Sequence, residues 1–321
     1  MYMVSLLSIL PFTAPACGSA QGGGEAPEAP KVYFVRDITP ENMVRLYEAL
    51  ERPATGKVAV KLSTGEPGGH NFLKPELIKE LVQKVDGTIV ECNTAYGGGR
   101  ASTENHLKAA ADHGFTAIAP VDIMDAEGEV SLPVKGGRHL RENFVGSHYP
   151  AYDFTVVLSH FKGHAMGGFG GAVKNISIGI ASSAGKAWIH SAGKTKNAAQ
   201  MWGNLPAQDD FLESMAEAAK SVADHCGEKI LYINVMNNLS VDCDCDCDAH
   251  PEDPKMGDIG ILASTDPVAL DKACVDLVYA SPDPGKVHLI ERMESRHGIH
   301  TLEHGEAIGL GSQQYELVEL E

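Results

Sequence analysis

Positive charge is what this chain most lacks. Its 321 residues carry 26 Lys and Arg against 43 Asp and Glu, a formal charge of −17. With no basic field to neutralise phosphates, nucleic acid is excluded as a partner, and so is peripheral attachment to anionic lipid. A disulfide framework is missing too. Seven cysteines is an odd number, and a chain this long can build a core without staples. Cys92, Cys226 and Cys274 stand in apolar or helical contexts and read as buried free thiols. The apolar run at residues 3–12 is too short to span a bilayer. No internal repeat is visible, and no low-complexity linker divides the chain after residue 31. What is present is an ordinary globular composition, 43% hydrophobic and 21% charged.

The first thirty residues stand apart. The short apolar run is followed by Ala14-Pro15-Ala16-Cys17, a small-residue cleavage pattern with a cysteine placed for lipid attachment. Gly18–Pro30 then forms a flexible tether of small residues, Pro and Glu. The expectation is an exported protein held to the membrane only through Cys17, with a cytoplasmic chain as the alternative. Residues 1–30 are set aside as leader and tether, and 31–321 are read as one domain.

Within that domain, strand-like and helix-like stretches alternate. Strands are predicted at 31–36, 57–62, 88–92, 154–161, 229–236 and 314–320. Helices are predicted from Pro40 after a Thr39 cap to about Glu51, and at 75–85, 103–114, 209–225, 266–280 and 287–298. Ser102 is the expected cap of the third helix and Gly114 its left-handed stop. This alternation predicts an α/β fold: a mixed, mainly parallel sheet covered by helices. Residues 120–150 and 181–208, rich in Gly, Ser and Pro, read as long loops, functional or disordered.

Directly after the apolar strand at 154–159 comes HFKGHAMGGFGGAVKN, His160–Asn175. Polar loops that follow buried strands are where α/β sheets place ligands. Gly167, Gly168, Gly170 and Gly171 permit close backbone approach, and with Asn175 they form a candidate ligand cradle. His160 and His164 are candidate metal ligands. The nucleotide-binding patterns fail: Trp188 stands where a P-loop needs its first glycine, and Val173 where a dinucleotide fingerprint needs its last. In an acidic protein the basic segment Ala184–Lys194 suggests an anion site, with Lys174, His190 and Lys61 as substrate-binding or acid–base groups.

The segment VDCDCDCD, Val241–Asp248, alternates thiols and carboxylates without a break. In an extended strand, residues i and i+2 lie roughly 6.7 Å apart. Two sulfurs on one tetrahedral ion must lie roughly 3.8 Å apart. Neighbouring cysteines of a regular strand therefore cannot share an ion, and the expectation is a turn. In it Cys243, Cys245 and Cys247 would supply thiolates to iron or zinc, completed by His160 or His164. Asp242, Asp244, Asp246 and Asp248 would accept hydrogen bonds around the ion or keep the loop solvated. The alternative is an acidic surface turn whose cysteines are incidental.

HAMGGFGGAVKNISIG (164–179), DCDCD, DIGILASTDPVALDKACVDLVY (258–279) and GLGSQQYELVEL (309–320) occur in one order. With these the chain resembles domain-of-unknown-function family 362, whose members are often labelled iron–sulfur centre proteins. Many of them carry a ferredoxin-like Cys-x2-Cys-x2-Cys-x3-Cys module, which this sequence lacks. The resemblance leaves an iron–sulfur centre open and implies little else about activity. Residues and resemblance together lead to a metal-dependent, redox-type enzyme acting on a small anionic molecule, with an electron-transfer partner. A non-catalytic metal- or solute-binding lipoprotein and a phosphate-ligand enzyme using the GGFGG loop are the alternatives.

Overall fold

Two runs, Phe154–His160 and Ile230–Met236, are buried at every position. A strand can be so only inside a sheet covered on both faces. They are β7 and β10 of the computed structural model, which describes residues 28–242 and 253–321. The expected lipid site Cys17 and the thiols Cys243, Cys245 and Cys247 lie outside the described residues.

The chain begins with β1 (Lys31–Val35), α1 (Pro40–Ala49), β2 (Val58–Lys61), α2 (Pro75–Lys84), β3 (Gly87–Glu91), α3 (Thr103–Asp112) and β4 (Val121–Ile123). A hairpin of β5 (Glu129–Pro133) and β6 (Glu142–Gly146) precedes β7, and a second, of β8 (Lys162–His164) and β9 (Gly168–Gly170), follows it. Then come α4 (Ala172–Ser177), α5 (Ser183–His190), α6 (Ala198–Met201), α7 (Gln208–Cys226) and β10. The last part holds β11 (Gly260–Ser264), α8 (Pro267–Ala280), α9 (Lys286–Ser295), α10 (His300–Ala307) and β12 (Glu316–Glu319).

Eight strands form one sheet in the order β12-β1-β11-β10-β7-β2-β3-β4. Every neighbouring pair is parallel except the two made by β11, which runs against both β1 and β10. The mixed, mainly parallel sheet expected from the alternation is therefore the one that forms. Its strands alternate between two cores. Val156 and Leu158 of β7 pack with Met43, Leu46, Ile78 and Leu81 from α1 and α2. Val157 packs on the other side with Ile176, Val222, Val268 and Leu270 from α4, α7 and α8. Among the described residues no helix is long and apolar enough to cross a membrane.

The local signals act as expected at several ends. Thr39 accepts the Asn42 N–H and Pro40 opens α1, while Gly114, at φ 88°, follows the last turn of α3. Ser102 holds the cap position of α3, but its hydroxyl makes no cap bond. The two segments read as long loops are a correction. Residues 120–150 hold β4, β5 and β6, and residues 181–208 hold α5 and α6. Gly185 hides α5, because glycine lowers helix propensity. It is needed there because a Cβ would fall 2.0 Å from the Phe144 carbonyl oxygen of β6.

The site depends on how α4 is anchored. Asp271 of α8 accepts the N–H groups of Ala172 and Val173, at 2.7 and 3.0 Å, and the side-chain amide of Asn234 at 2.7 Å. Burial pushes its carboxyl up to about 6, while these three donors pull the other way. Removing the acceptor would strand buried donors at about 1–3 kcal/mol each. Asp271→Ala is expected to lower the unfolding free energy by about 2–5 kcal/mol. Urea unfolding followed by circular dichroism measures it, and an unchanged midpoint would refute the anchoring role.

Candidate anion-binding site

After β2 the chain builds outward through β3 to β4, and after β7 it builds the other way through β10. β2 and β7 are neighbours from which the chain departs in opposite directions, which opens a crevice at the carboxyl edge where such sheets bind ligands. Lys61, Glu91 and His160 are the last residues of β2, β3 and β7, and all three line a cavity there of about 90 Å³. At roughly 10–15 Å³ of such space per water molecule, it suits a small molecule. Lys61, Arg100, Lys162, Lys174 and Lys186 bring five cationic side chains to its lining, against Glu91 as the one carboxylate among the described residues.

Glu91 is the hub. Its carboxylate accepts the Thr64 N–H at 2.7 Å and the Thr64 hydroxyl at 2.5 Å, and it lies 3.1 Å from Arg100 Nη1 and 3.3 Å from His106 Nε2. Burial works to raise this carboxyl, but Arg100, His106 and Lys61 together hold it well below the usual range. Arg100 also pairs with Glu66 at 2.9 Å, and Gly99 donates its N–H to the other Glu66 oxygen.

Lys61 is 1% exposed, with Nζ donating to its neighbour's carbonyl, Leu62 O, at 2.5 Å. Burial pulls its ammonium down to about 8, although Glu91 works to hold it up. Gly179 makes room for it, since a Cβ there would sit 2.8 Å from Lys61 Cε. Lys186, also buried, donates to Ala181 O at 2.6 Å, and burial lowers its ammonium as well. Lys174 is half-buried, and no hydrogen bond or ion pair of its ammonium is found among the described residues.

Asn175, a residue of the expected ligand cradle, lines the cavity. Its amide donates to Lys61 O at 3.2 Å, Leu158 O at 3.0 Å and the Ser159 hydroxyl at 3.1 Å, tying the ends of β2 and β7 together. The glycines divide. Gly170 and Gly171 line the cavity. Gly168 has φ 79° and packs against Gly298, where a Cβ would lie 2.9 Å from its Cα. Gly167 lies under the His164 ring, donating its N–H to Nδ1 at 2.8 Å. The first N–H groups of α4 are committed to Asp271, so the charged contacts facing the cavity come from side chains.

His160 lines the cavity and donates from Nε2 to Asn237 O at 2.5 Å, which leaves the lone pair of a neutral ring on Nδ1. His164 does not line it. Its Nδ1 accepts the Met166 and Gly167 N–H groups, so a neutral ring carries its proton on Nε2. In this arrangement Nδ1 of His164 is taken up by two backbone N–H groups, and Nε2 is the ring atom left to meet another group. His190 stands one layer behind the lining. It stacks on Phe211, meets Tyr96 edge-on, and donates from Nδ1 to Lys186 O at 2.7 Å. Burial lowers it to about 4, so it is neutral at pH 7. Of the basic segment 184–194, Lys186 reaches the cavity and Lys194 does not.

Glu91, Arg100 and Lys162 went unread in the sequence. Glu91 had one signal, a carboxylate closing an apolar strand, while Arg100 in a glycine-rich turn had none.

The model for a domain of unknown function, DUF362, matches residues 58–276. No curated protein matches. Among solved structures, the lactate racemase apoprotein from Thermoanaerobacterium thermosaccharolyticum is 16% identical, with a TM-score of 0.38 over 63% of this chain and 50% of that one. A protein from Thermotoga maritima is 14% identical, with a TM-score of 0.42 over 74% of this chain and 58% of that one. The chain thus spans only about half the length of these structures, and likenesses this loose carry no argument about activity. The family match covers more than half of the chain, and the protein belongs to the DUF362 family.

Proposed function

We propose that the protein is an enzyme acting on a small anionic molecule, a carboxylate or phosphate ester, in the cavity at the carboxyl edge of the sheet. One observation carries the reading: five cationic side chains converge on a small cavity in a chain of net charge −17. Electrostatic attraction to buried groups such as Lys61 and Lys186 is stronger than at a solvated surface. Lys174 and Lys186 hold the anion. Lys61, buried beside Glu91 with its pKa near 8, is the acid–base group, because an ammonium so lowered can give and take a proton near neutrality.

The metal remains part of the proposal. Cys92, Cys226 and Cys274 are poor thiolate donors, because burial raises all three thiols, Cys92 to about 12. The ligands would be Cys243 and Cys245 with His160. In support, the chain leading into that run lies against the histidine loop: Gly163 donates its N–H to Ser240 O at 2.8 Å, and a Cβ on Gly163 would strike Val241 O. Iron there would supply electron transfer, and zinc would polarise a substrate oxygen. An electron-transfer partner and export through a leader ending at Cys17 belong to the same reading.

Two measurements test it. Sulfate, whose charge is constant across the neutral range, is the probe for calorimetric titration. Lys174→Ala is expected to weaken sulfate binding about tenfold, or about 1.4 kcal/mol, with the melting temperature within about 2 °C of the parent. The parent's affinity should fall as pH rises through about 8, because Lys61 is an ammonium below that pH and neutral above it. A variant that melts much lower and binds sulfate as before would show that Lys174 is structural.

The second measurement is metal content. Cys243→Ser, Cys245→Ser protein, purified without oxygen, is expected to lose the iron or zinc that the parent carries. Equal metal per chain in both would rule those thiols out as ligands.

A further inference from the structure

On the far side of α7 from the sheet, a second group of polar side chains converges away from the cavity. Asp210, Glu213 and Glu217 fall on one face of α7, spaced three and four residues apart. Glu217, fully buried, accepts the N–H groups of Arg138 at 2.6 Å, His139 at 3.1 Å and Leu140 at 2.7 Å. That carboxylate pins the backbone of the 138–140 turn to the helix. One turn earlier on α7, His139 Nε2 stands 2.6 Å from Glu213 Oε2 and 3.8 Å from Asp210 Oδ1. The three donor atoms lie within 4.8 Å of one another.

Helix packing explains Glu217, and the first turn of α7 suits a carboxylate at Asp210, but neither calls for one beside the His139 ring. The imidazole nitrogen has one proton to give, and Glu213 already takes it. The Asp210 side chain is left beside the same nitrogen with no hydrogen bond among the described residues. Bonds of about 2.0–2.2 Å to a tetrahedral zinc put neighbouring ligand atoms roughly 3.3 Å apart. The observed 2.6 and 3.8 Å straddle that spacing, so an ion would ease one contact and draw in the other. The supports are already in place. The other Glu213 oxygen meets His300 Nε2 at 3.1 Å, and His300 Nδ1 meets Glu303 at 3.2 Å. One competitor is present: Arg138, largely exposed, places Nη1 3.2 Å from Glu213. A second trio, Asp209, His297 and His300, adjoins the first and is more exposed.

We propose that His139 Nε2, Asp210 and Glu213 bind a divalent transition cation of the zinc class, with water in the fourth position. A nitrogen donor beside two carboxylates favours zinc or a similar ion over magnesium and calcium, which prefer oxygen throughout. The ion ties the 138–140 turn to α7 above a small apolar cluster of Val134, Leu140, Ile178, Phe211, Leu212 and Met215. Ile178 of that cluster also lines the anion cavity, so the ion steadies one wall of it. The site is independent of the anion reading and of the cysteine run.

Zinc titration of the full chain against a chelating dye tests the site. It is run on the parent and on a protein with Cys243, Cys245 and Cys247 all changed to Ser. In both backgrounds, His139→Gln and Asp210→Asn are each expected to weaken one zinc equivalent at least tenfold. The glutamine amide can still bond Glu213, and Asp210 is partly exposed, so both variants should fold; circular dichroism checks that. Arg138→Gln should tighten the same equivalent. Zinc binding unchanged in both His139→Gln and Asp210→Asn would overturn the assignment, as would a parent whose only zinc is lost with the three cysteines.

Discussion

Burying positive charge away from water is costly, and the carboxyl edge of this sheet brings five cationic side chains to one small cavity. The architecture around it is largely a response to that cost. Glu91 and Glu66 neutralise Arg100, and the Leu62 and Ala181 carbonyls take hydrogen bonds from Lys61 and Lys186. The Glu91 carboxyl is held well below the usual range despite its burial because Arg100, His106 and Lys61 surround it. Among the described lining residues the bases outnumber the acids, and the proposed anion reading rests on that excess. The ammonium of Lys61 is lowered chiefly by its burial, with Lys186 and Arg100 adding to the effect and Glu91 opposing it.

What could be read from the sequence followed the range of the interactions. Strands such as Phe154–His160 and helices such as Pro75–Lys84 are set by local periodicity and Pro placement, and both lie within a residue or so of their expected bounds. The placement of Lys61, Lys174 and His160 at one cavity was legible because each stands at a strand end or in the glycine-rich stretch that follows one. Glu91, Glu66, Arg100 and His106 were not, because their meaning lies in mutual contact between β3, α3 and two turns. α5 was missed because Gly185, which lowers helix propensity, is kept for its close fit to β6. β11 was missed because GILAS is short and joins no alternating run.

The glycine-rich stretch shows how one composition serves two ends. Read as a sequence, its glycines suggest backbone amides turned to a ligand. In the fold, Gly171 lies where a Cβ would meet Asp271, and Gly163 where it would meet Val241. Gly170 and Gly171 still border the cavity, but much of the stretch is small so that α8, α9 and the 240–242 segment can pack against it. Phosphate loops and close-packing loops look alike until their neighbours are known.

The reversal of β11 bears on how this fold can diversify. β10 ends at the carboxyl edge, and an antiparallel neighbour must start from the same edge, so the connection from 237 to 259 leaves and returns beside the cavity. Its two feet stand on adjacent strands. Lengthening such a connection costs little, about 0.6 kcal/mol for each doubling. A change of length there therefore weighs little on the strand pairings at its two feet. The sheet edge gathers the cationic side chains, and both described feet of the 237–259 connection stand beside them.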